Sequence, residues 1–129
     1  MNKNRFLLDT NAVIFITTRG SIIPSGLTKE LNEADLYISV ISEIELFSKP
    51  LLALNEEEDL RVFLNDRFDI MDLSSDVKKE TIALRRKTRL KLPDCIIAAT
   101  SIILNSVLLT NDDQLFCLSW PSLRTQKIC

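Results

Sequence analysis

The chain has 129 residues, enough for one domain with its own core. Hydrophobic residues make up 46% and charged ones 26%, ordinary for a soluble globular protein, while two glycines and four prolines leave little material for flexible linkers or a turn-rich all-β fold. A net charge of −2 excludes a chain built for indiscriminate polyanion binding, and the absence of histidine excludes histidine acid–base catalysis.

Phe6-Leu7-Leu8 is a short apolar run ending at Asp9 and reads as a buried strand. A helix is expected from Asn11 to Thr17, a loop over 18–26 with Gly20, Pro24 and Gly26, and a helix from Leu27 to Ala34. Leu36-Tyr37-Ile38-Ser39-Val40 is β-rich and reads as a second strand. Ser42 then opens a helix with Glu45 three residues on, the spacing of a capping box, and Pro50 lies near its end.

Asn55 followed by Glu56-Glu57-Glu58-Asp59 reads as a helix start whose solvated acids complement the helix dipole. Asp69 to Leu73 is a third strand, and Ser74 caps a helix through about Lys87. Pro93 is placed at the first position of the next helix, whose residues Ile96, Ile97, Ala98, Ala99, Ile102, Ile103 and Leu104 are apolar nearly all round, so it is buried on more than one face. Val107-Leu108-Leu109 is a fourth strand, followed by a short helix from Asp113 and a last strand around Leu123 to Ile128.

Cys95, Cys117 and Cys129 are odd in number and lack metal-type spacing, which fits a reducing cytosol and a cytoplasmic protein. Cys95 reads as a small buried apolar residue. The apolar stretch after Lys3 and Arg5 is broken by Asp9, Thr10 and Asn11, so it does not read as a secretory leader. The most apolar stretch, Cys95 to Leu109, is shorter than the roughly 20 residues that span a bilayer, so no membrane role is expected.

Alternating strands and helices imply an α/β fold with a parallel sheet, whose ligands lie beyond the carboxyl ends of the strands. Asp9 and Asp112 follow the ends of their strands, and Glu45 falls in the first turn of the helix leaving strand two, so these three share one edge. Asp94 joins them only if the chain returns to that edge before Pro93. A helix of about 13 residues is about 20 Å long, and Thr88 to Pro93 fully extended spans roughly as much.

Each acid also has a bland reading. Asp9 closes a turn, Glu45 completes a capping box, Asp94 favours a helix dipole and Asp112 caps a helix. Capping does not explain four carboxylates on one edge. Clustered carboxylates repel, so a cation must compensate or some must protonate. Oxygen donors without histidine or cysteine favour Mg²⁺ or Mn²⁺, and metal-dependent phosphodiester hydrolysis is the chemistry that fits.

Leu7-Leu8-Asp9-Thr10-Asn11, Ile38 through Leu46, Leu90 through Thr100 and Leu109-Thr110-Asn111-Asp112-Asp113 resemble, in order and over essentially the whole chain, the PIN-domain nucleases, in particular the VapC-like toxins of toxin–antitoxin pairs. The resemblance implies a single PIN domain over 1–129, a three-layer α/β/α sandwich with a mainly parallel sheet of four or five strands. It implies a Mg²⁺ or Mn²⁺ site and cleavage of single-stranded RNA. Asp9, Glu45, Asp94 and Asp112 match the family's acids, with Asp9, Asp94 and Asp112 as metal ligands. Asn11, Thr110 and Asn111 match polar residues that orient the site, with Ser42, Glu43 and Asp113 as further supporting candidates. Positions 43 and 45 lie roughly 200° apart on a helix, so one faces the site squarely. The family motif selects Glu45, and Asp112 is preferred to Asp113 as nearer the strand end.

Arg85, Arg86, Lys87, Arg89 and Lys91 put five cations in seven residues. They read either as a solvated helix end or as an RNA-phosphate strip leading into Asp94, with Arg85, Arg86, Arg89 and Lys91 as the candidates. The resemblance further implies a cognate antitoxin and a homodimer. Ile14, Phe15, Ile16, Ile22, Ile23, Phe47, Leu51 and Leu52 are available for such contacts, although core burial is the expected fate of most. A flap-like DNA nuclease and a catalytically silent scaffold are the competing readings.

Overall fold

The structure, a computed structural model, describes residues 4–18, 20–48 and 54–128. Lys3, Pro50, Leu51, Leu52 and Cys129 lie outside the described residues. The elements run β1 (Arg5–Leu8), α1 (Thr10–Thr17), α2 (Ser25–Glu33), β2 (Asp35–Ser39), α3 (Val40–Phe47), α4 (Leu54–Arg67), β3 (Asp69–Met71), α5 (Ser75–Lys87), α6 (Leu92–Leu104), β4 (Val107–Leu109), α7 (Asp113–Phe116) and β5 (Arg124–Gln126). The expected α/β sandwich is present, with five strands in its sheet.

The sheet order is β3-β2-β1-β4-β5, and all four pairings are parallel. Side chains alternate across the sheet as strand geometry requires. Phe6 and Leu8 enter one core with α1, α2 and α4, whereas Leu7 and Leu108 enter the other with α5 and α6. The chain adds β2 and β3 on one side of β1, then returns to add β4 and β5 on the other. The direction of winding therefore reverses between β1 and β4. Such a switch point opens a crevice at the carboxyl ends of the two strands. Asp9 N–H donates to Leu109 O across it at 3.2 Å.

Three local expectations are corrected. Ser42 does not open a helix. Ser39 is the N-cap of α3, its hydroxyl accepting from Ile41 N at 3.1 Å, and Ser42 is buried inside the first turn. One residue thus ends the strand and caps the helix, because an N-cap keeps extended backbone angles. Pro93 is second in α6, after Leu92; its missing N–H is still one of those left unpaired at a helix start. The third correction concerns the return to Asp94. Arg85 near the end of α5 donates from Nη1 to Leu90 O at 2.7 Å, so α6 begins within one side chain's reach of α5 and no long extended return is needed.

Helix α6 is the buried one expected, with every residue from Cys95 to Ser101 out of solvent, and it ends at Asn105 in the left-handed conformation (φ 55°). Cys95 and Cys117 are free, the first buried and the second exposed. Among the described residues no helix is long and apolar enough to cross a membrane.

Candidate functional site

Asp9 lies between β1 and α1 and is 5% exposed. Its Oδ1 accepts from Ala12 N at 2.8 Å, capping α1, and its Oδ2 accepts from the Thr110 hydroxyl at 2.5 Å. Thr110 follows β4 and is fully buried. The first and last expected motifs therefore meet at the switch point through this side-chain bond as well as through Asp9 N–H to Leu109 O. Burial pushes the Asp9 carboxyl above its ordinary value; the Thr110 and Ala12 hydrogen bonds oppose this, and the charges of Asp112 and Glu45 add to it.

Asp94 stands in the first turn of α6, half-buried. Burial raises its carboxyl, as do Asp112, Asp9 and Glu45 in that order, while Lys91 partly counteracts them. Four carboxylates from four separate segments are thus near enough to act electrostatically on one centre.

Asp112 caps α7, Oδ1 accepting from Gln114 N at 2.8 Å. Its own N–H donates to the Thr110 hydroxyl oxygen at 3.0 Å. Thr110 therefore bridges Asp9 and the backbone of Asp112. Glu45 projects from α3, and its Oε1 accepts from the Thr10 hydroxyl at 2.6 Å. The same Thr10 oxygen lies 3.1 Å from the buried Ser42 hydroxyl. Thr10 is absent from the candidates that the sequence supplies, although it sits between Asp9 and Asn11 in the first motif.

The other candidates divide. Glu43 is half-buried in the first turn of α3, and its charge is not among those acting on Asp9 or Asp94. Asp113 pairs with Lys127 at 2.5 Å, and that hydrogen bond and charge lower its carboxyl from the ordinary value. Asn111 accepts at Oδ1 from Ile128 N at 3.1 Å, fastening the segment after β5. Asn11 is exposed on α1. Arg86, Arg89 and Lys91 are exposed, while Arg85 has one guanidinium nitrogen committed to Leu90 O. Of the apolar candidates, Ile14, Phe15, Ile16, Ile23 and Phe47 pack against the core, and Ile22 is 82% exposed.

Capping accounts for Asp9 and Asp112 in part, and the α6 dipole for Asp94. It does not account for Glu45, because the Ser42 box is absent. Nor does it explain why Asp9 and Asp94, already raised by burial, are raised further by the charges of neighbouring carboxylates. A divalent cation would relieve that repulsion. Among the described residues no three Asp, Glu, His or Cys side chains are gathered into a ready-made metal cage. An all-oxygen set of separated carboxylates fits Mg²⁺ or Mn²⁺ even so, since magnesium keeps several waters and takes only one or two carboxylates directly.

The family pattern described as PIN domain matches residues 6–118. No curated protein matches the chain. Among solved structures, VapBC from Salmonella typhimurium, crystallised bound to DNA, is 26% identical with a TM-score of 0.73, covering 98% of this chain and 99% of that one. A toxin–antitoxin complex from Klebsiella pneumoniae is 29% identical with a TM-score of 0.70, covering 91% and 93%. VapBC2 from Rickettsia felis, bound to a promoter DNA fragment, has a TM-score of 0.76 over 95% and 98% of the two chains; at 24% identity that likeness is one of fold. The chain belongs to the PIN-domain nuclease family and is similar to its VapC-like toxins.

Proposed function

We propose that this chain is a Mg²⁺- or Mn²⁺-dependent endoribonuclease that cuts single-stranded regions of RNA, and that it acts as a growth-inhibiting toxin neutralised by a cognate antitoxin. The carrying observation is that Asp9 and Asp112 follow the adjoining strands β1 and β4, linked through Thr110, and that the charges of Glu45 and Asp112 bear on both Asp9 and Asp94. The antitoxin partner is supported by similarity to chains solved within toxin–antitoxin complexes. A homodimer and a cytoplasmic site of action belong to the same reading.

Asp9, Asp94 and Asp112 are the residues that would hold the cation, one or two of them directly and the rest through its waters. When bound, it supplies charge neutralisation at the phosphoryl oxygens and a more acidic water. Thr110 holds Asp9 in one orientation. Glu45, steadied by Thr10, is assigned the part of orienting the attacking water and accepting its proton, a reading supported by its bond to the residue beside Asp9. The exposed cations Arg86, Arg89 and Lys91 draw in the RNA backbone, so binding weakens as salt rises.

The test is digestion of matched single-stranded RNA and DNA with Mg²⁺ or Mn²⁺. RNA is cut, chelator stops the cutting, and Asp94→Asn abolishes it while circular dichroism stays native. Undiminished cutting in chelator or by Asp94→Asn overturns the proposal, and preferential cutting of DNA replaces it with the DNA-nuclease reading. Co-expression of the gene product encoded beside the toxin restores growth if that product is the antitoxin.

A further inference from the structure

A groove of about 330 Å³ lies between the α5–α6 connection and the α7 region. Arg89 and Leu90 line one wall, and Gln114, Leu118 and Ser119 the other. Both walls are chain leading into the site. Leu90 and Lys91 immediately precede α6, which carries Asp94, and Gln114 donates its backbone N–H to Asp112. The volume is at the lower end of the roughly 300–1,000 Å³ typical of small-ligand sites. It admits one nucleotide and is too small for paired strands.

The chemistry of the lining is that of a nucleotide. The half-buried Leu118 offers apolar surface for a base face, while Leu90, itself buried in the core, closes the wall opposite. Arg89 offers a cation for a phosphate. Gln114 and Ser119 offer an amide and a hydroxyl for base edges. Among the described residues the side chains of Arg89, Gln114 and Ser119 make no hydrogen bond or ion pair, so these polar groups are unspent. Arg85, by contrast, is tied to Leu90 O and braces the wall.

We infer that this groove is a nucleotide subsite: it holds one nucleotide of the single-stranded RNA beside the cut bond, Arg89 on its phosphate, with Gln114 and Ser119 setting the base preference. The inference rests on the ribonuclease reading above. Single-stranded RNA is read through unstacked bases whose edges are open to hydrogen bonding, which suits an open groove with unspent polar groups.

Cys117 also lines the groove and is exposed, whereas Cys95 is fully buried. In a Cys129→Ser background Cys117 therefore reports occupancy. The full chain, silenced by Asp94→Asn, is mixed with fluorescein-labelled single-stranded RNA, and maleimide labelling of Cys117 is followed beside anisotropy. Saturating RNA should slow labelling roughly tenfold or more. Arg89→Ala should lower the slope of log affinity against log salt by roughly 0.7, the value for one phosphate contact on a single strand. In the cleaving protein, Gln114→Ala with Ser119→Ala should flatten the base preference at one position of a randomised RNA, read from the sequences of the cut ends. RNA that binds without slowing labelling, or a preference unchanged in the double variant, overturns the subsite and leaves the ribonuclease reading standing. RNA that neither binds nor is cut overturns both.

Discussion

The Thr10 hydroxyl is 2.6 Å from Glu45 Oε1, joining the start of α1 to the middle of α3. Its neighbour Asp9 is joined to Thr110 on the other side of β1. Two consecutive residues thus serve opposite flanks of the site. If Glu45 serves the chemistry proposed above, Thr10 acts through it as a positioning residue. A hydrogen bond to a charged group contributes about 1.5–3 kcal/mol. Thr10→Val should slow single-turnover RNA cleavage by roughly tenfold or more, and Thr10→Ser should restore most of the rate. Equal rates for Thr10→Val and the wild type would remove Thr10 from the site.

Thr110 carries two links, to the Asp9 carboxylate and to the Asp112 backbone. Its hydroxyl counteracts the upward push that burial exerts on Asp9. Thr110→Val removes that brake, so Asp9 rises further and the acid limb of the cleavage profile moves to higher pH. Leaving a buried acceptor unpaired costs about 1–3 kcal/mol, readable by urea unfolding. A variant with a lowered stability and an unmoved profile would assign Thr110 a purely structural part.

Raised carboxyls make the cation-free protein sensitive to pH in an uncommon direction. Asp9 and Asp94 are raised in the fold from the ordinary 3.8. The native state therefore binds more protons than the unfolded chain above that pH. Their contribution is fully present below the ordinary carboxylate range and is lost as pH rises through the raised values. In chelator, the melting temperature of the wild type relative to Asp94→Asn should fall from mildly acid to neutral pH. Added Mg²⁺ or Mn²⁺ should raise the wild-type value at neutral pH and release protons on binding, measured by calorimetry in two buffers. Parallel melting curves for wild type and variant across that range would contradict this.

Asp112 and Asp113 are adjacent but differently engaged. Asp112 acts on Asp9 and Asp94, whereas Asp113 faces Lys127, which also sits 5.2 Å from the Phe116 ring centre. Asp112→Asn should abolish cutting. Asp113→Asn should leave it within about twofold, as expected for an exposed position away from the chemistry. Reversed outcomes in the same digestion assay would exchange their roles.

Much of this is legible in residue order. The alternation of Phe6, Leu7 and Leu8 between two cores follows from strand geometry, and the apolar run Ile96 to Ala99 follows from a helix buried on more than one face there. Asp9 and Asp112 are readable at strand ends because an apolar run stops where the chain leaves the sheet. The cap of α3 is not readable, because Ser39 continues a β-rich run, and its dual service as strand end and cap depends on one residue's backbone angles rather than on residue type.

The sequence by itself determined which residues are apolar, which are acidic and roughly where each element ends, because these depend on local periodicity and side-chain chemistry. Only the tertiary structure decided that β1 lies between β2 and β4, that Thr110 reaches Asp9, that Thr10 reaches Glu45 and that α6 starts beside the end of α5. The hydroxyl contacts join residues 35 and 101 positions apart, and the last relationship depends on how two helices pack. Local propensity carries no record of such pairings; they are selected by which arrangement buries both faces of the sheet at once.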